Sequence, residues 1–188
     1  MILTATSHTV QHVWSTAVLV RELNVQSLVR ESPAPTHPDG RPHTQLPAEQ
    51  LVPDVSSLRD EIVSGMHQLY RRANESGISV RPVTGVGIVA EIWRAGYEMP
   101  MMASDSDWVC WVVLEASPPQ HEESGVIAVY DPRAGSGMTA SPGLPWGRQL
   151  SLRPVQGLMA IVPGWLTSAV QPVEDKQVVT VLRASSTH

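Results

Sequence analysis

Phenylalanine is missing from this chain of 188 residues, and lysine and cysteine occur once each, as Lys176 and Cys110. A single cysteine excludes an internal disulfide and a cysteine-rich zinc site. One lysine, no basic run and a net charge of −5 argue against nucleic acid as a partner. No apolar run approaches the length of a membrane span, so no membrane is expected as a partner. The opening residues MILTATSHTV lack the basic start and apolar centre of a secretory signal. The expectation is a soluble, cytoplasmic protein. There is no internal repeat and no heptad. Six tryptophans and seven methionines supply the bulk that phenylalanine otherwise would.

The length suits a single domain over 1–188 with a sizeable core. Gln11–Val20 is apolar and β-branched and reads as a strand; Arg21–Arg30 reads as a short helix. Ser32–Pro53 carries six prolines and Gly40 and reads as a long surface loop. Leu58, Ile62, Val63, Met66, Leu69 and Tyr70 recur at helical spacing, which predicts a helix over Asp54–Asn74. Asp54 or Ser56 is its cap, and Arg71, Arg72, Asn74 and Gly77 mark its end. Short β-branched segments follow near Gly85–Ala95, Trp108–Glu115, Val126–Tyr130, Gln149–Leu152, Gly157–Val162 and Gln177–Leu182, separated by Gly/Pro turns. The fold class expected is mainly β with N-terminal helices (α+β). The strand, loop and helix of 1–85 pack on a barrel or sandwich over 86–185.

Gly125–Ala184 carries Asp131-Pro132-Arg133 and then Pro154, Gly157, Pro163, Trp165, Leu166, Ser168 and Val170. This run resembles the C-terminal half of a small iron- and 2-oxoglutarate-dependent oxygenase family. Its members read "DPR", then "P-x-x-G-x-x-x-x-F-P-x-W-L-x-H-x-V". The resemblance implies a double-stranded β-helix (jelly-roll, cupin-like) core. It also implies that Ser168 stands where a histidine ligand of iron is expected. Upstream the family places two further ligands after a strand ending in glycine. With Gly96 and Pro100 as anchors, those positions fall on Met102 and Ser104. Thioether and hydroxyl are poor partners for Fe(II), which favours imidazole and carboxylate. The resemblance also implies an arginine for the distal carboxylate of 2-oxoglutarate. That stretch offers Gln177 or Val178, with Arg183 a few residues later.

The expectation is therefore an oxygenase-like barrel with no metal and no cofactor. Met102, Ser104, Ser168, Trp93, Trp111 and Trp165 are the expected pocket, and Trp108 lies near the same mouth. If the site is catalytic, a carboxylate must move the proton, and Glu98, Asp105 and Glu91 are the candidates in that order. Asp107 shares a polar turn with Asp105. Cys110 reads as a buried structural thiol. His121, with Glu122 and Glu123, reads as a solvated run rather than a metal site. The function expected is an enzyme: a cofactor-free isomerisation, cyclisation or elimination on a small organic substrate in specialised metabolism, with two alternatives behind it. One is a non-catalytic binding or partner protein. The other is an iron/2-oxoglutarate oxygenase with unusual ligands. A homodimer is an open option in each. The discriminating feature is the cavity. An open pocket with inward carboxylates favours the enzyme. A plugged barrel with an exposed apolar patch favours the binding protein.

Overall fold

A computed structural model describes residues 9–13, 16–25, 40–75, 82–132 and 149–187. Among the described residues the strands are β1 (Thr9–Val13), β2 (Thr16–Glu22), β3 (His43–Pro47), β4 (Gly85–Trp93), β5 (Met99–Met102), β6 (Trp108–Ala116), β7 (Ile127–Val129), β8 (Leu150–Leu152), β9 (Leu158–Pro163), β10 (Ser168–Val170) and β11 (Val179–Thr187). The helix α1 spans Val55–Glu75, and a short 3-10 turn spans Ala48–Gln50. All pairings are antiparallel. They build a seven-stranded sheet in the order β1-β2-β9-β6-β11-β4-β3 and a four-stranded sheet in the order β5-β10-β7-β8. The two sheets face each other across one core, which makes the fold a double-stranded β-helix.

The helix begins where its sequence provides for it. Asp54 caps it: Oδ1 accepts the Ser57 amide at 3.0 Å and Oδ2 accepts the Ser57 hydroxyl at 2.6 Å. Leu58, Ile62, Met66 and Leu69 are fully buried on one stripe. They pack on the outer face of the larger sheet with Leu19, Cys110, Val112, Met159, Ile161 and Leu182. The helix comes close at Gly65, where a Cβ would lie 2.6 Å from the tip of the Ile161 side chain.

The inner face of that sheet carries Val18, Val20, Val109, Trp111, Val113, Val162, Val179 and Val181. It packs against Ile127, Val129, Leu150, Leu152 and Val170 of the smaller sheet. Strand β6 is buried from Trp108 to Leu114 because both of its faces are covered. Hence it reads as a continuous apolar run rather than an alternating one.

Several expectations change. Gln11–Val20 is not one strand: β1 and β2 pair from Thr9↔Val20 to Val13↔Thr16. Arg21 and Glu22 continue β2 instead of opening a helix, because their backbone completes the ladder with Met159 and Leu158. Leu23 and Asn24 are not helical either, while residues 26–30 of that helix, residues 32–39 of the proline-rich loop, Gly77 and Arg133 lie outside the described residues. Within the loop, His43–Pro47 is an edge strand on β4, a place that tolerates proline. Strands β5 and β10 come from stretches whose periodicity is too short to register. No helix among the described residues is long and apolar enough to cross a membrane.

Candidate functional site

Strand β5 pairs with β10 so that Met102 lies opposite Ser168. The chain then turns. The Ser104 amide donates to the Gly164 carbonyl at 2.8 Å, and the Gly164 amide donates to the Asp107 carbonyl at 2.8 Å. The Ser106 amide donates to Ser104 Oγ at 3.1 Å. These bonds strap the Ser104–Asp107 turn onto the turn after β9. Gly164 is needed for the contact, since a Cβ would sit 1.8 Å from the Ser106 carbonyl oxygen.

Behind the strap is a small pocket. Its wall includes Met102, Ser104 and Ser168 together with Val109, Trp111, Val162, Leu166 and Arg183. Ser168 thus meets Met102 and Ser104, which lie more than sixty residues earlier in the sequence. The volume open to the centre of a water molecule is about 10 Å³, room for roughly one water. Arg183 is the charged residue of the wall. It reaches the pocket from β11, where its backbone pairs with Trp111 and Val89.

Glu91 lies beside the pocket without lining it. It sits on the inner face of the larger sheet, two residues before buried Trp93 and paired with buried Val181. Its carboxylate is buried and well partnered. Trp93 Nε1 donates to Oε2 at 2.9 Å. Arg183 Nη1 lies 3.9 Å from Oε1, and His43 Nε2 lies 3.6 Å from Oε2. Both His43 and Trp93 stack on Tyr97, at 4.7 Å and 5.4 Å between ring centroids. Burial pushes the Tyr97 phenol up to about 12, helped by the Glu91 carboxylate and opposed by Arg183. The phenol is therefore neutral at any ordinary pH.

The remaining sequence candidates are placed differently. Glu98 and Asp105 are exposed and are not part of the pocket wall. Trp111 lines the pocket, Trp93 belongs to the Glu91 cluster, and Trp165 is 55% exposed on the rim. Trp108 is buried on the helix side of the sheet. Cys110 is buried there as well, and desolvation pushes its thiol far up, against a small opposing pull from Arg21. Gln177 is buried, and its carbonyl oxygen takes the Ser124 hydroxyl, away from the pocket. His121 is exposed and lies 3.6 Å from Glu174, while Glu122 pairs with Arg153. Among the described residues no group of three His, Cys, Asp or Glu side chains is placed to hold a metal ion. His43 and Tyr97 are not singled out by the sequence, which offers Arg183 only as a late substitute for the 2-oxoglutarate arginine. Only the pairing of β11 with β6 and of β3 with β4 assembles them.

No protein-family model and no curated protein matches the chain. Among solved structures it is similar to a prolyl-4-hydroxylase of Pseudomonas putida, at 9% identity over 98% of this chain and 77% of that one, with a TM-score of 0.47. It is also similar to an oxidoreductase of the 2OG-Fe(II) oxygenase family from Burkholderia pseudomallei, at 10% identity over 90% of this chain and 66% of that one (TM-score 0.44). A cupin domain from Bordetella pertussis is similar at 12% identity over 55% of this chain and 82% of that one (TM-score 0.35). At these identities the likeness is one of fold alone.

Proposed function

We propose that this protein is an oxygenase-like barrel without iron at the inherited position, working as a non-catalytic binding or partner protein. The observation that carries the reading is the pocket between Met102, Ser104 and Ser168. Its donors are one thioether and two hydroxyls, a set that does not fit Fe(II). Its volume of about 10 Å³ falls far below the roughly 300–1,000 Å³ of ordinary small-molecule sites. Meanwhile Met102 and Trp165, large and apolar, stand exposed at its mouth.

The cofactor-free enzyme on a small organic substrate fits this geometry less well. Its two leading carboxylates, Glu98 and Asp105, face solvent outside the pocket. The inward one, Glu91, is engaged by the Trp93 indole and flanked by Arg183. A general base must lie within hydrogen-bond reach of the proton it takes, and Glu91 does not line the pocket. The oxygenase with unusual ligands lacks a ligand cluster among the described residues.

The test is anaerobic loading with Fe(II) and 2-oxoglutarate. The expected result is no metal-to-ligand charge-transfer band and no succinate on admitting oxygen. Stoichiometric iron near Met102, Ser104 and Ser168, with turnover of 2-oxoglutarate, would overturn the reading.

A further inference from the structure

The small pocket behind the strap is rich in hydrogen-bond donors and poor in acceptors. Ser104, Ser168 and Arg183 are its polar side chains, and no carboxylate lines it. Ser104 Oγ already accepts the Ser106 amide, so its O–H is left to donate. The Ser168 side chain, on a residue only 7% exposed, makes no hydrogen bond among the described residues. The Gly164 and Pro163 carbonyls already accept the Ser104 and Leu166 amides. Val109, Trp111, Val162 and Leu166 make the inner wall apolar.

Arg183 decides what such a pocket can hold. Its Nε is buried without a hydrogen-bond partner. Glu91 Oε1 lies 3.9 Å from Nη1, too far for a hydrogen bond. The Glu91 carboxylate is turned to other work as well, accepting the Trp93 indole N–H at 2.9 Å. It therefore attracts the guanidinium without satisfying its N–H groups. A buried donor left without an acceptor is costly. Glu98, Asp105 and Asp107 are the other carboxylates near this end of the barrel in sequence, and none of them lines the pocket.

We infer that this pocket binds a halide ion, chloride above all, held by the Arg183 guanidinium and the Ser104 and Ser168 hydroxyls. The inference rests on the reading above that iron does not occupy the same place, and it adds what does. A guanidinium in the wall disfavours a metal cation on these neutral donors and favours an anion, to which charged N–H groups bond most strongly. Size selects among anions. The volume of about 10 Å³ takes a single small species and leaves no room for a whole carboxylate or phosphate. Water fits as well, but it brings an acceptor without a charge.

The test is a titration of the full chain, carrying 13C-methyl methionine, with sodium chloride replacing sodium gluconate at constant ionic strength. The Met102 methyl signal is expected to shift and saturate, while that of Met101, which is outside the wall, stays in place. The chloride NMR signal should broaden in proportion to protein and sharpen again when bromide competes. The melting temperature should rise with chloride, as for any ligand of the folded state. Ser168→Ala should weaken binding several-fold with an unchanged melting temperature in gluconate. Arg183→Gln should abolish it; if that variant fails to fold, Arg183→Gln with Glu91→Gln removes both buried charges and should abolish it too. A Met102 shift that never saturates, or chloride broadening that survives loss of Arg183, would overturn the inference and leave water as the occupant. Displacement of chloride by 2-oxoglutarate would also overturn it, assigning Arg183 to an organic carboxylate. Iron bound with turnover sinks the reading above together with this one; a silent chloride titration in an iron-free protein sinks only the halide.

Discussion

At the scale of single residues, burial decides what each titratable group does. Tyr97 and Cys110 are both kept neutral by desolvation. Each is an acid whose folded value lies above its unfolded one, so each stabilises the fold at low and neutral pH and withdraws that stability as pH rises. In the unfolded chain a thiol ionises near roughly 8.5 and a phenol near roughly 10. The native state still holds both protons there, so the unfolded state gains. The melting temperature should thus fall in two stages, from about pH 8.5 and again from about pH 10. Differential scanning calorimetry from pH 7 to 11 checks it. Cys110→Ala should remove the first stage and Tyr97→Phe the second. A flat profile in the unsubstituted protein would refute the burial assigned to both groups. Glu91 illustrates the other outcome: a buried carboxylate stays because an indole N–H donates to it and the Arg183 guanidinium and the His43 imidazole lie beside it.

At the scale of elements, the two turns that close the pocket behave as one unit. Neither the Ser104–Asp107 turn nor the Gly164–Trp165 turn has regular structure, yet backbone bonds join them. The joint tolerates no side chain at Gly164, where the obstacle is the carbonyl of Ser106 rather than a flexible group. Gly164→Ala should cost about 2 kcal/mol through forced separation of the turns and lower the melting temperature by several degrees. The Met101 and Met102 methyl signals should move with it. Gly65 is the contrasting case: its neighbour is the far end of the Ile161 side chain, so alanine there asks only for a small rotation. Helix α1 owes its place to the stripe of Leu58, Ile62, Met66 and Leu69, and its start to Asp54. The bonds from Ser57 hold the Asp54 carboxyl below its ordinary range, so that cap is lost as pH falls below about 4.

At the scale of the whole molecule, the barrel brings Met102 and Ser104 together with Ser168, from far along the chain. Met102 and Ser168 lie across a strand pair, and Ser104 follows on the same wall. If these are the inherited ligand positions, the scaffold should accept ligands when they are put back. Met102→His, Ser104→Asp and Ser168→His in one protein should create a site for Co(II) or Fe(II). Visible Co(II) absorption and calorimetry would report it, at roughly one equivalent per chain for a two-histidine, one-carboxylate set. The unsubstituted protein should bind neither metal under the same conditions. Failure of the triple variant to bind, with the fold intact by circular dichroism, would show that the three positions are not a ligand set in this barrel.

The sequence by itself determined the helix, its Asp54 cap and most of the strands. Those depend on local periodicity and on side chains a few residues apart. The resemblance also picked out Ser168, from the spacing of the Pro-Gly-Pro-Trp-Leu run, and Met102 and Ser104, from Gly96 and Pro100 as anchors. Periodicity missed β3 inside a proline-rich stretch, and β5 and β10, because an edge strand or a three-residue strand carries too few alternations to stand out. Only the tertiary structure decided which carboxylates face the interior. Glu98 and Asp105 carry the same charge as Glu91, but a carboxylate is drawn inside only where neighbouring strands bring Trp93, Arg183 and His43 to meet it. The size of the pocket was likewise settled by packing, since no stretch of sequence encodes how closely Gly164 lets one turn approach another.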